Sequence, residues 1–246
     1  MATAKSRTPA AAYRFQRHHP ALIPGSCLVT KQKREEPMRV FFPQSDIDGA
    51  CGLHVLCSAL VALDLAKSSA LADMPKRKHG VPARVWEVFA HTYFSGVNPP
   101  EFVDLVKSLE LPVQVTARHG HAEGVDAAAL DWLMRGDLVA LAFESVVNSR
   151  TRHWALAVGA EGNCVGRKDV PDTILLLDPG ATEPHYGVAN AWLKVSAANG
   201  SSKSQTVDSS TRMKSKRMVW NYESACFPTE QVHLISAVRL KPEAWS

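Results

Sequence analysis

Two textures divide this sequence, and their order is its strongest constraint on the fold. Up to about residue 136 the apolar residues recur at helical spacing. Beyond it they come in short runs rich in Val, Ile and Leu, separated by turn residues. Leu53, Leu56, Cys57, Leu60 and Leu63 share one face of a predicted helix over 50–66, with Asp48 or Gly49 where an N-cap belongs. Pro82 opens a second helix, running to about Phe94. Asn98 with Pro99, Pro100 and Glu101 is a capping sequence for a third, to about Leu109. Asp126 to Arg135 reads as a fourth, stopped by Gly136. The strand-like runs are Leu138–Phe143, Trp154–Val158, Ile174–Leu177, Met218–Trp220 and Val232–Leu240, with Val113–Thr116 as a further one. Helices first and mostly antiparallel strands after them is an α+β pattern.

The 246 residues are 46% hydrophobic and 21% charged, enough to bury one large core or two small lobes sharing one. The longest mostly apolar stretch, Val55 to Leu63, is broken by Asp64. A spanning helix needs about 20 such residues, so no membrane span is expected. Ala10–Ala12 are followed at once by Arg14, Arg17, His18 and His19, which is not the pattern of a signal peptide. The cysteines are five (Cys27, Cys51, Cys57, Cys164 and Cys226), an odd number without a CxxC pair. They read as reduced thiols of a cytoplasmic protein.

Charge is unevenly placed. Of a formal net charge of +4, residues 1–37 carry +5 and residues 196–217 carry +4, so the remainder is −5. A nucleic-acid-binding body would show the reverse, which argues against that partner. Residues 1–37 read as a basic flexible arm able to touch an acidic partner. Residues 196–217, made of Ser, Asn, Gly, Lys and Thr, read as a flexible insertion.

Chemistry concentrates in Gln44-Ser45-Asp46-Ile47-Asp48-Gly49-Ala50-Cys51-Gly52-Leu53-His54. It sets a cysteine at a helix start, where free N–H groups and the helix dipole favour an anion, the nucleophilic form of a thiol. Gly49 and Gly52 strip bulk from both sides of the sulfur, leaving room for a substrate backbone. Gln44 can fold back so that its amide lies beside the Cys51 N–H, giving two oxyanion donors. A thiolate needs a base, and the base needs an orienter. His153 opens one strand-like run and Asp178 closes the next. Pairing the two runs as a hairpin with His153 opposite Asp178 brings imidazole and carboxylate side by side at one sheet end. His185 is a second candidate base, and Asp46 and Asp48 are local carboxylates better suited to capping. Three ligands at Cys51, His54 and Cys57 cannot converge on a metal from one helix. Gly159, Gly162 and Gly166 lack the strand-to-helix context of a nucleotide loop, so no cofactor is expected.

Gln, then Cys at a helix start, then His opening a strand, then Asp ending the next resembles the order of papain-like cysteine peptidases. The His153-Trp154 and Leu177-Asp178-Pro179 contexts are most similar to the bacterial C39-like branch. The resemblance covers roughly residues 42–180. It implies an α+β papain-like fold: a helical lobe over about 45–136 packed against an antiparallel β-sheet lobe over about 137–246, together forming a catalytic domain over 38–246. It implies a thiol hydrolase cleaving a peptide or isopeptide bond of a protein or peptide substrate. Cys51 would be the nucleophile, His153 base and acid, Asp178 orienter and Gln44 oxyanion donor, with Trp154 or Trp192 shielding the His–Asp pair. The same Cys, His and Asp order also serves transglutaminase-like or arylamine acetyltransferase-like acyl transfer and deamidating effectors, though the upstream Gln44 favours the peptidase branch. A binding module without catalysis is the remaining alternative.

Overall fold

Leu138–Ser145 is buried at every position, not at alternate ones. A strand with one wet face cannot do this; it must be covered on both sides. The computed structural model, which describes residues 13–30, 36–120, 124–196 and 217–243, shows how. Its strands are β1 (Tyr13–His18), β2 (Leu22–Ile23), β3 (Val29–Thr30), β4 (Met38–Arg39), β5 (Val113–His119), β6 (Leu138–Ser145), β7 (Arg152–Val165), β8 (Lys168–Leu177), β9 (Ala191–Val195), β10 (Trp220–Ser224) and β11 (Glu230–Pro242). Its helices are α1 (Cys51–Ala62), α2 (Ser68–Ala72), α3 (Gly80–Phe89), α4 (Pro99–Ser108) and α5 (Val125–Met134). Two short 3-10 turns, Met74–Lys76 and Ala90–Thr92, flank α3.

Six antiparallel strands close on themselves in the order β7-β6-β11-β10-β9-β8, with β8 returning to β7. β1 extends β6's edge of β7, β5 pairs with β11, and β2, β3 and β4 form a separate small sheet. All six barrel strands send residues inward, among them Leu141, Ala157, Leu176, Leu193, Trp220 and Leu234. Val125, Ala129, Trp132 and Leu133 of α5 pack with them. Because α5 leads directly into β6 at Leu138, and Asp126 accepts a 2.6 Å bond from the Trp220 indole, α5 plugs one end of the barrel. The opposite face of β6, β7 and β8, with Ala140, Trp154, Leu156 and Leu175, forms a second core with α1, α3 and α4. Apolar content on both faces erases the alternation by which a barrel wall would be read from sequence.

This closure overturns the expected papain-like α+β fold. The chain is mostly β, and its helices lie on the wall and in one end of a barrel instead of forming a lobe beside a sheet. The reason lies in long-range pairing. β6 joins β11 and β8 joins β9 through contacts that no local pattern encodes. α1, α4 and α5 lie within a few residues of the expected helices, down to the capping box in which Asn98 and Glu101 exchange side-chain and backbone bonds, but α3 ends at Phe89, short of the expected Phe94, and α2 is additional.

Residues 13–30, part of the expected flexible arm, carry β1, β2 and β3. The acidic partner of β1 is the β7–β8 hairpin of the same chain. Arg14 donates to both oxygens of Asp172 at 3.1 and 2.9 Å, Arg17 bonds Asp169, and Gln16 bonds Glu161. Residues 1–12 and 31–35 of the arm, and residues 197–216 of the expected insertion, lie outside the described residues. Among the described residues no helix is long and apolar enough to cross a membrane.

Candidate active site

α1 begins at Cys51, and the chain before it is tied into a tight turn. Asp48 accepts from the Ser45 N–H and hydroxyl at 2.8 Å and from the Ala50 N–H at 3.0 Å. Those bonds hold its carboxyl below the usual aspartate range although burial pushes the other way. Ala50, the N-cap, offers no side-chain cap, so the first-turn N–H groups around Cys51 have no partner from that side chain. Neither bracketing glycine leaves room for substrate, contrary to the sequence expectation. A Cβ on Gly52 would sit 2.5 Å from Val97 Cγ1 and 3.6 Å from Trp154, and one on Gly49 would sit 2.6 Å from the Phe94 carbonyl oxygen. Both glycines let protein pack in: Gly49 admits the Phe94–Gly96 backbone, and Gly52 admits Val97, Phe102 and Trp154 of β7. Cys51 itself is 8% exposed.

His153 lies at the start of β7, paired with Phe143 near the end of β6, at the barrel end away from α5. Asp178 follows the last residue of β8 and is fully buried. His153 Nε2 and Asp178 Oδ1 are 2.7 Å apart. The register differs from expectation. Leu156 pairs with Leu177, so Asp178 comes level with Ala155, and two bulges interrupt the ladder farther along. A two-residue displacement keeps both side chains on one face, so they still meet, diagonally.

The carboxylate is bound on every side. Oδ1 also accepts from the Gly180 N–H at 2.7 Å, and Oδ2 accepts from the Tyr222 hydroxyl at 2.7 Å. Asn190 clamps the backbone, accepting from the Asp178 N–H at 2.7 Å and donating to its carbonyl at 2.8 Å. Burial alone would raise the Asp178 pKa, but the His153 charge and these donors hold it below the usual carboxylate range. For His153 burial again opposes the charged form, but the Asp178 charge and hydrogen bond, then the Cys51 thiol, outweigh it and push the imidazole up to about 10. The Tyr222 hydroxyl is pushed up by burial and by the Asp178 charge, so it stays a donor.

With Nε2 committed to Asp178, the other ring nitrogen is the one left for Cys51, whose thiol acts on the imidazole both as a hydrogen-bonding neighbour and electrostatically. Cys51, His153 and Asp178, far apart in sequence, therefore come together. Gln44 joins them from the loop. Its N–H donates to Pro179 O at 2.8 Å and its side-chain amide to Asp48 O at 2.7 Å, linking the turn after Asp178 to the turn before Cys51. His185 is held by Ser26 O at 2.8 Å. The ring against the imidazole is Phe143, edge-on at 5.5 Å. Trp154 instead stacks on Phe102 at 4.4 Å and bonds Val97 O, behind α1.

Sequence reasoning missed Tyr222 and Asn190. Tyr222 reaches Asp178 only because the pairing of β10 with β9, and of β9 with β8, sets its inward side chain near the end of β8. Asn190 lies 12 residues downstream in a turn-rich stretch whose composition suggests only a loop. A thiol that passes its proton to an imidazole held by a buried carboxylate becomes a thiolate, which can attack an electrophilic carbon, and the imidazolium can then give that proton to a leaving group. No protein-family model matches the chain, and no curated protein matches it.

Proposed function

We propose that this protein is a cysteine hydrolase that cleaves a peptide or isopeptide bond of a protein or peptide substrate. The observation that carries the reading is the 2.7 Å bond from His153 to a fully buried Asp178, with Cys51 at a helix start as the other partner of the same imidazole. Cys51 Sγ attacks the carbonyl carbon. Charge developing on the oxygen is met by first-turn N–H groups of α1 and the second amide proton of Gln44. The C–N bond breaks as His153 gives its proton to the leaving nitrogen. Water then attacks the thioester, His153 takes its proton, and the carboxylic acid and thiol are released.

The order Gln44, Cys51, His153 and Asp178, shared with C39-like peptidases, supports the same class of bond. The reading needs only the site and not the papain-like architecture. Five unpaired thiols support a reducing, cytoplasmic setting. The test is turnover of an internally quenched peptide library, with mass spectrometry to trap an acyl group on Cys51. Cleavage is expected to vanish in Cys51→Ala and His153→Ala. Cleavage that persists in Cys51→Ala sinks the proposal.

A further inference from the structure

The barrel is packed solid beside α5, but not at the opposite mouth. There a cavity of about 500 Å³ opens next to His153, inside the roughly 300–1,000 Å³ range of ligand pockets. Interior-facing Phe143, Tyr222 and Val232 form its walls, and Phe227 forms a lip between β10 and β11. The two wall rings cannot easily turn to fill the space. The Tyr222 hydroxyl is bonded to Asp178, and the Phe143 ring lies 5.5 Å from both the Tyr222 and His153 rings. The bonds that hold the imidazole thus also hold the cavity open. Phe227 is 48% exposed, an apolar ring standing uncovered at the entrance.

The position of His153 gives the cavity a side. His153 lines it and Cys51 does not, so of the two groups the imidazole is the one next to the pocket. In the cleavage proposed above, the imidazolium delivers its proton to the departing nitrogen, so the leaving group lies on the imidazole side. We propose that the barrel mouth binds a large apolar, preferably aromatic, side chain on the residue whose amino group is released. The inference rests on the hydrolase reading for the identity of that ligand, while the pocket itself stands on geometry alone.

Two measurements separate the failure of one reading from that of the other. The first compares kcat/KM for peptides identical except for Phe or Gly at the leaving-group position. A pocket of this kind discriminates by roughly 10–200-fold per distinguishing apolar group, so at least a tenfold preference for Phe is expected. Thr229→Trp, an exposed lip position that narrows the mouth, should abolish the preference by lowering kcat/KM for the Phe peptide at least tenfold more than for the Gly peptide. Phe227→Ala should weaken it, and serves if the tryptophan variant does not fold. Cys51-dependent turnover with equal rates for the two peptides, or a preference untouched by both variants, overturns the pocket. The second measurement is calorimetric titration of wild type with Phe-Ala-Ala and Gly-Ala-Ala, which mimic the released product and need no catalysis. If no peptide is turned over, the hydrolase reading falls and this titration decides. Saturable binding of Phe-Ala-Ala alone, weakened at least tenfold by Thr229→Trp, supports the pocket, and no binding of either overturns it.

Discussion

His153 Nε2 lies 2.7 Å from Asp178 Oδ1 although the two residues are not opposed in the ladder. They reach each other across one diagonal of the β7–β8 pairing. The carboxylate is then fixed by Tyr222, Gly180 and the Asn190 clamp rather than by the strand. The site therefore depends on residues from β7, β8, β10 and the turn at Asn190 at once.

Replacing Asp178 with Asn should remove the charge that holds the imidazolium. Burial, which favours the neutral ring, is then opposed only by Cys51, and the His153 pKa should fall from about 10. NMR titration of the imidazole checks the direction. Peptide cleavage should drop by roughly 10²–10⁴-fold, the span of general acid–base contributions.

Tyr222→Phe should leave one oxygen of a buried carboxylate without its donor. A loss of about 1–3 kcal/mol in denaturant unfolding is expected, the cost of an unsatisfied buried acceptor. Because Tyr222 touches neither Cys51 nor the reacting bond in this reading, its effect on cleavage should come with a shifted pH profile. An unchanged profile and an unchanged midpoint would count against the Tyr222–Asp178 bond.

Stability should show the pair from both sides of neutrality. Asp178 has a lowered pKa when folded, so its contribution is present above the ordinary aspartate range and is lost as pH falls through the folded value. His153 has a raised one, so its contribution is full below the unfolded imidazole value and is lost as pH rises toward about 10. The stability gap between wild type and a His153→Ala/Asp178→Asn double variant should be widest near about pH 4–6.5, between the ordinary aspartate and histidine values. It should shrink toward both extremes when unfolding is followed against pH.

Cysteine reactivity should be ordered by environment. Cys57 is buried on α1 and its thiol is pushed up to about 12 by burial, so it should resist iodoacetamide in the native state. Cys51 should alkylate faster than exposed Cys226 at pH 6, and that advantage should disappear in His153→Ala. Mass-spectrometric mapping after timed quenching reads each site separately. Equal rates for Cys51 and Cys226 would mean that no preformed thiolate–imidazolium pair exists in the free protein.

The two glycines beside Cys51 should differ in how they fail. Gly49→Ala meets the Phe94 backbone, which cannot step aside, and should cost about 1–3 kcal/mol. Gly52→Ala meets the Val97 side chain, so a Val97→Ala change should restore much of the lost stability and of the Cys51 alkylation rate. Urea midpoints of the single and double variants check both statements.

The sequence by itself determined the local pieces. Apolar spacing, an Asn-Pro-Pro-Glu cap and a glycine stop were enough to place α1, α4 and α5 to within a few residues, because helix signals are written in neighbours three and four apart. It also brought Cys51, His153 and Asp178 forward as partners, since a helix start and two strand ends are local positions that a chain can mark with single residues. The tertiary structure alone decided that the strands close into a barrel, that the register slips by two, and that Tyr222 and Asn190 hold Asp178. Which strand lies beside which is settled by the burial of two faces at once, and a run of Leu, Val and Ala looks the same whichever neighbour completes its hydrogen bonds.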